Sequence, residues 1–346
     1  MNARSFHIGL VGGGNISGTH ARAARLIPGV EVSAVYGSNP RKVDLLSKEC
    51  GATSYSDFDR FLSHRPMDLI AIGSPSGLHA QQGIAAARQG LHVLTEKPLD
   101  ISTEKGNALI SAAKQSGVKL GVFFQDRFKS DIADAKRLID AQLLGKPILA
   151  DARVKWFRPE SYYSESRWRG THSLDGGGAL INQAIHTVDL LLWLFGNVVA
   201  VQALRKTALH RIETEDTLGA LLEFENGAIG ILQATTSVFP GYPRRIELTG
   251  SEGTITIEQD RLIHVDLKQP PVGFAAKGDD QNPSANSPAV SDVRGHRAVL
   301  EDFIEAIRTD REPQCSGREG LRSLALVETI YEASRLGGRV EVKALN

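Results

Sequence analysis

The chain has 346 residues, 41% of them hydrophobic, and its 40 basic and 40 acidic side chains cancel. That length exceeds one typical core and points to two domains, while the balanced charge excludes a strong field toward nucleic acid or an anionic membrane. Cys50 and Cys315 stand far apart without CxxC spacing, so no disulfide framework or metal motif is expected, and the absence of a leader-like start or an apolar run of about 18 residues points to the cytoplasm.

The amino-terminal half alternates strands and helices. Phe6-His7-Ile8-Gly9-Leu10-Val11 reads as a strand and runs into the glycine turn Gly12-Gly13-Gly14-Asn15-Ile16-Ser17. A helix is expected from about Asn15 to Leu26, then strand Val30 to Tyr36, helix Pro40 to Glu49, short helix Phe58 to Leu62 and strand Asp68 to Gly73. Helix His79 to Gln89, strand Leu91 to Leu94, helix Thr103 to Ser116 and strand Val118 to Phe124 complete the series. This alternation predicts an α/β Rossmann domain, a doubly wound parallel sheet, over residues 1–125.

The glycine turn follows a strand and opens a helix, the context a dinucleotide site needs. Gly12 permits the tight turn, Gly14 admits a pyrophosphate, and the helix start at Asn15 and Ile16 supplies free N–H groups. Ser17 stands where a third glycine is usual. After the second strand the chain reads Tyr36-Gly37-Ser38-Asn39-Pro40-Arg41-Lys42, without the carboxylate that usually holds the adenosine ribose of NAD. Ser38 can hydrogen-bond, and Arg41 or Lys42 can pair with a 2′-phosphate, which favours NADP over NAD. The competing reading makes Arg41 and Lys42 ordinary first-turn helix residues.

Thr95-Glu96-Lys97-Pro98 follows a buried parallel strand. Ligands of open α/β sheets bind beyond the carboxyl ends of the strands, so Lys97 is expected to point into the cofactor crevice.

From Lys146-Pro147 onward the pattern changes. A long strand, Ile148 to Phe157, leads through an aromatic-rich segment to Asp175-Gly176-Gly177-Gly178 and a helix from Ala179 to Phe195. Strands follow at Val198 to Lys206, Thr217 to Phe224, Ala228 to Ser237, Arg244 to Gly250, Gly253 to Glu258 and Arg261 to Leu267. Glu225-Asn226-Gly227-Ala228 signals a two-residue hairpin. These strands predict an α+β domain over 126–346 with a large, mostly antiparallel open sheet. Residues 268–292 read as a long mobile loop, and helices are expected at about Arg294 to Arg308 and Arg318 to Leu336. On the helix after the glycines, Asn182 and His186 are four apart and share a face, with Asp189 three further on. The glycines are expected to let a ligand reach the helix start. His186 is an acid/base candidate on this reading and a packed core histidine on the competing one. No HExxH or comparable cluster accompanies it, so no metal is expected.

Four motifs in order carry a family resemblance: Val11-Gly12-Gly13-Gly14-Asn15-Ile16, Gly73-Ser74-Pro75-Ser76-Gly77-Leu78-His79, Val93-Leu94-Thr95-Glu96-Lys97-Pro98-Leu99, and Gly176 to His186. The chain resembles the glucose–fructose oxidoreductase/inositol dehydrogenase/MocA (Gfo/Idh/MocA) family over nearly its whole length, and Trp168-Arg169-Gly170-Thr171 before the triple glycine resembles the sugar-oxidising members. The resemblance implies an NAD(P)-dependent oxidoreductase acting on a secondary hydroxyl or keto group of a sugar, glycoside or nucleotide-sugar. It implies Lys97 and His186 at the reacting oxygen, and a homodimer or homotetramer through the second domain's open sheet. Ser74, Pro75, His79 and Glu96 fall in its cofactor motifs, and Trp168 and Arg169 match a pair at the nicotinamide end. Gln125 and Arg127 match site-lining positions. The family often has an acid where this chain has Asn182, and an amide cannot take a proton, though it can orient substrate or His186.

On this basis His186 is expected to accept the alcohol proton while Lys97 stabilises the oxygen, in a cleft between the domains; the two roles are exchangeable because a buried lysine can lose its proton. Lys155, Arg158 and Tyr163 are the candidates for holding the sugar, with a solvated or aromatic-packed strand edge as the competing reading. Two other functions stay open: a glycosidase using bound NAD by transient oxidation and elimination, and a non-catalytic NADP-sensing protein.

Overall fold

The computed structural model describes residues 5–269 and 292–343. Most of the expected loop at 268–292 therefore lies outside the described residues. The chain divides into two compact units, residues 5–125 with 292–321, and residues 126–269 with 322–343.

The first unit is built on six parallel strands in the order β3-β2-β1-β4-β5-β6. The strands are β1 (Phe6–Val11), β2 (Val30–Tyr36), β3 (Thr53–Tyr55), β4 (Leu69–Ile72), β5 (His92–Thr95) and β6 (Leu120–Val122). Helices α1 (Asn15–Arg25), α2 (Pro40–Cys50), α3 (Phe58–Leu62), α4 (His79–Arg88) and α5 (Thr103–Gln115) connect them. The central strands are apolar on both faces, with Leu10, Val11, Leu69, Ile70, Ile72, Val93 and Leu94 all fully buried. That is the pattern of a parallel sheet covered by helices on each side. Local chemistry sets the helix ends. Asn39 accepts from the Lys42 N–H and Pro40 occupies the first turn of α2, whose end is Gly51 at φ 67°. Asp57 caps α3 and Ser102 caps α5 in the same way. Strand order reverses between β1 and β4, and a ligand crevice forms at such a switch point. Helix α9 (Arg294–Arg308) packs against α1.

The second unit holds an eight-stranded sheet in the order β13-β12-β11-β7-β10-β9-β8-β14. Its strands are β7 (Pro147–Lys155), β8 (Val198–Lys206), β9 (Thr217–Phe224), β10 (Ile229–Thr235), β11 (Arg245–Gly250), β12 (Gly253–Glu258), β13 (Arg261–Leu267) and β14 (Val340–Glu341). Every pair is antiparallel except β7 with β10. Alternation is strict on β9, where Leu218, Ala220, Leu222 and Phe224 are buried while Gly219, Leu221 and Glu223 are exposed. The buried face carries α6 (Ser130–Asp140) and α8 (Ile185–Phe195). The open face carries Leu149, Leu204, Leu221 and Ile229, each exposed. Helices α7 (Glu160–Ser164) and α10 (Gly317–Leu336) complete the described elements.

Two expectations are corrected. The hairpin at Asn226-Gly227 has a three-residue loop, because Phe224 pairs with Ala228 and only Gly227 takes positive φ, at 85°. A two-residue turn of the expected type needs positive φ at both central residues. Asn226 instead accepts from the Ala228 N–H and donates to the Phe195 carbonyl at 2.7 Å. The single helix expected from Ala179 to Phe195 is split, with Ala179–Ala184 wound as a π-helix before α8 begins. β3, α6, α7 and β14 were not among the expected elements.

Candidate active site

At the end of β1 the chain turns at Gly12, whose φ of 120° suits glycine and whose Cβ would lie 2.7 Å from Ser17 Oγ and 2.8 Å from the Gly73 carbonyl. A Cβ on Gly14 would meet nothing within 4 Å. Gly14 and Asn15 are exposed, and α1 starts with no side-chain cap. Its first N–H groups therefore have no intrahelical acceptor and face open space, which fits a pyrophosphate. Ser38 and Arg41 are exposed beyond β2, and Arg41 has no carboxylate partner among the described residues.

Ser74 donates to Gln82 Oε1 at 2.6 Å. His79 is buried, with Nδ1 2.9 Å from the Pro98 carbonyl and Nε2 3.0 Å from the Ser74 carbonyl. It therefore ties the Ser74-Pro75 loop to the segment after β5. Asp100, fully buried, accepts from the Ala80 N–H at 2.8 Å and the Ile101 N–H at 2.6 Å. Leu94, Thr95, Leu99 and Asp100 are closed off around half-buried Lys97, whose bond to Pro98 is cis.

Glu96 is turned inward. His20 Nε2 meets its Oε1 at 3.0 Å, His296 Nε2 lies 3.5 Å from the same oxygen, and the Lys97 N–H donates to Oε2 at 3.2 Å. Burial pushes this carboxyl up, but His20 and His296 hold it well below the usual carboxylate range. Burial lowers His20, which stacks on Phe123 at 4.3 Å. His20, Glu96 and His296 are the one group of three ligand-type side chains among the described residues. Sequence reasoning missed both histidines because neither lies near Glu96 in the chain. Gln125 packs against Gly295, where a Cβ would come within 3.1 Å of its own Cβ.

In the second unit the triple glycine has a structural task. A Cβ on Gly178 would lie 1.8 Å from the Glu215 carbonyl oxygen, and one on Gly177 would lie 2.2 Å from Tyr331 Oη. Gly177 admits Tyr331 and Gly178 admits Glu215, a packing task beyond the ligand access expected of them. Glu215 accepts from the Gly178 and Leu180 N–H groups and from Tyr331. Burial raises its carboxyl above the ordinary value.

Asn182 lies in the π-wound turn, donates to Asp175 Oδ1 at 2.5 Å and accepts from Gln183. His186, near the start of α8, instead has Asp126 beside it, with Nδ1 3.8 Å from Oδ2. Asp126 is 6% exposed and also meets Arg244 at 2.7 Å and Lys129 at 3.0 Å. Asp260 pairs with the same Arg244 and Lys129. Burial pushes Asp126 up, yet Arg244, His186 and Lys129 together hold it well below the usual range.

Arg127 is buried in a two-pronged pair with Asp189, at 2.6 and 2.8 Å, and lies over Trp193. Arg158 is also buried, donates to Gln183 Oε1 at 2.8 Å and stacks near Trp156 and Tyr162. Tyr163 is buried against Thr236 at 2.9 Å, and burial pushes its hydroxyl far up. Lys155 alternates with buried Val154 and so stands on the open face, opposite the side that α8 covers. Trp168 and Arg169 are half-buried, with Arg169 stacked 4.1 Å over the Tyr162 ring.

Residues 6–124 match the model of an oxidoreductase family with an NAD-binding Rossmann fold, and residues 132–256 match a GFO/IDH/MocA C-terminal domain. The fold is similar to the WlbA dehydrogenase from Bordetella pertussis, solved with NADH and UDP-GlcNAcA. The two share 34% identity over 100% of both chains, with a TM-score of 0.91. The WlbA dehydrogenase from Chromobacterium violaceum, with the same two ligands, is 29% identical over 100% of this chain and 98% of that one, with a TM-score of 0.90. The scyllo-inositol 2-dehydrogenase (NAD(+)) of Bacillus subtilis is 28% identical over 88% of this chain and 86% of its own length. Among the described residues no helix is long and apolar enough to cross a membrane.

Proposed function

The chain belongs to the Gfo/Idh/MocA oxidoreductase family, with an NAD-binding Rossmann fold, and we propose that it oxidises a secondary ring hydroxyl of a nucleotide-activated sugar acid. The observation that carries the substrate class is the full-length likeness, at 34% identity, to a dehydrogenase solved with NADH and UDP-GlcNAcA. Lys97 and His186 supply the chemistry. His186 accepts the hydroxyl proton, and the Lys97 ammonium stabilises the negative charge that grows on the oxygen. Bound nicotinamide supplies the hydride acceptor.

Gly12, Gly14, Asn15 and Ile16 hold the pyrophosphate through backbone N–H groups, and Ser38 and Arg41 contact the adenosine ribose. The exposed, carboxylate-free Arg41 supports acceptance of NADP, while both WlbA structures carry NADH; the site as we read it takes either. The exposed apolar side chains Leu149, Leu221 and Ile229 support pairing of the open sheet with a second copy.

The test is a panel of free sugars, glycosides and UDP-sugars offered with NAD and with NADP, following formation of reduced nicotinamide. Net reduction with a UDP-sugar acid supports the reading. Glycoside cleavage without net reduction would replace it with the glycosidase function.

A further inference from the structure

The family resemblance assigns an acid to the position of Asn182, and the side chain of Asn182 is engaged with Asp175 and Gln183. A different carboxylate stands beside His186. Asp126 comes from the short turn Gln125–Phe128, nowhere near His186 in sequence, and its Oδ2 lies 3.8 Å from Nδ1. We propose that Asp126 is a positioning residue for His186, holding the imidazole through Nδ1 so that Nε2 is presented to the sugar hydroxyl. This inference rests on the reading of His186 as the proton acceptor.

The surroundings of Asp126 make it a fixed anion. It is 6% exposed, Arg244 is 6% exposed, and the two meet at 2.7 Å. Lys129 approaches the other oxygen at 3.0 Å, and Asp260 closes the group by pairing with both cations. Two carboxylates and two cations cancel, and the atom that faces Nδ1 is Oδ2, the same oxygen that Arg244 Nη2 holds at 2.7 Å. The His186 side chain is 14% exposed, and at 3.8 Å Nδ1 stands beyond hydrogen-bond reach of the carboxylate, so the imidazole has to turn toward Oδ2 before Nδ1–H can donate to it. Catalytic hydrogen bonds are often long before substrate binds. A carboxylate at Nδ1 fixes the tautomer with the proton there and stabilises the imidazolium formed when Nε2 takes a proton. Arg244 opposes that second effect, because part of the carboxylate's charge is spent on it.

The two partners of this pair therefore act on His186 with opposite sign. Nitrogen NMR of the imidazole in the full chain with nicotinamide cofactor bound, with the His186 signals identified by their loss in His186→Gln, reads this directly. In Asp126→Asn the His186 titration midpoint should fall by about one pH unit, the Nδ1–H tautomer should lose population, and the acidic limb of kcat should move the same way. The KM for the sugar should change less than kcat. In Arg244→Gln the midpoint should rise. Should Asp126→Asn fail to fold, the upward shift in Arg244→Gln carries the test alone. An unchanged midpoint in either folded variant, or shifts of the same sign in both, overturns the inference. If no sugar is oxidised by the unmodified chain, the proton-acceptor reading fails, while the NMR shifts still decide whether Asp126 governs the His186 ring.

Discussion

His79 holds the Pro98 carbonyl at 2.9 Å, and Pro98 is the residue after Lys97. Its other ring nitrogen reaches the Ser74 carbonyl at 3.0 Å, so one buried imidazole spans the ends of β4 and β5. The cofactor motif around His79 thus contributes by shaping the lysine segment. His79→Ala should leave Lys97 loosely placed. The expected outcome is at least a tenfold fall in turnover, with a loss of about 1–3 kcal/mol for the carbonyl left without its imidazole donor, read by thermal melting. A variant with unchanged turnover would remove His79 from the account.

Two glycines should behave oppositely. Gly14→Ala adds a methyl group to open space, so the melting temperature should hold while affinity for the nicotinamide cofactor falls at least tenfold. Gly178→Ala forces a carbon to 1.8 Å from the Glu215 carbonyl and should destabilise by about 3 kcal/mol or more. Cofactor titration and denaturant melts on both variants check the contrast.

Arg127 and Asp189 form a buried, two-pronged ion pair. Arg127→Ala takes the guanidinium from the buried Asp189 carboxylate and leaves Ser323 as a donor to it, and should cost about 3–5 kcal/mol in urea unfolding. Replacing both, as Arg127→Met with Asp189→Leu, should recover most of that loss, because an apolar pair needs no compensation. A double variant as unstable as the single one would contradict the assignment.

Asp216 accepts from the Ala208, Leu209 and His210 N–H groups. Burial opposes its ionisation, but these backbone donors lower the carboxyl to about 2. A depressed carboxyl stabilises the fold above its unfolded value of about 3.9, and that contribution is lost as pH falls toward the folded value. Unfolding of the native chain should therefore become easier between about pH 4 and pH 2. Asp216→Asn should start less stable at neutral pH and show a shallower decline over that window.

The elements that sequence periodicity reveals are those whose stabilisation is local. Asn39 and Pro40 mark the start of α2, and alternation on β9 marks its buried face, because each depends on neighbours a few residues away. Two elements escaped: β3 is only three residues at a sheet edge, and α6, though 11 residues long, buries a narrow stripe of Ile132, Ala135 and Leu138 between charged residues. In the site, Lys97 and His186 stand out in the sequence because motifs bracket them, and their roles are those proposed above. His20 and His296 around Glu96, or Arg244 and Asp126 around His186, meet across long stretches of chain, and no spacing rule connects them. Arg158 and Tyr163 read as substrate contacts from their polar groups, yet both are committed to buried partners, Gln183 and Thr236. No spacing rule links Gly178 to the Glu215 carbonyl before β9, or Gly177 to Tyr331 on α10, so the packing task of these glycines is not readable from the sequence.

Arg41 is an exposed cation just past the second strand's end, and the proposed reading assigns it to a 2′-phosphate. Arg41→Ala should raise the KM for NADP at least fivefold while leaving that for NAD nearly unchanged. Equal effects on both cofactors would remove Arg41 from the 2′-phosphate site.

The central claim is that Lys97 and His186 jointly carry hydride removal from a sugar hydroxyl. The most direct measurement follows reduced nicotinamide with UDP-GlcNAcA for the native chain, Lys97→Ala and His186→Ala, with cofactor binding measured separately. Turnover by the native chain is expected, with a loss of about 100-fold or more in each variant and cofactor affinity within a few-fold of native. Full activity in either variant would contradict it.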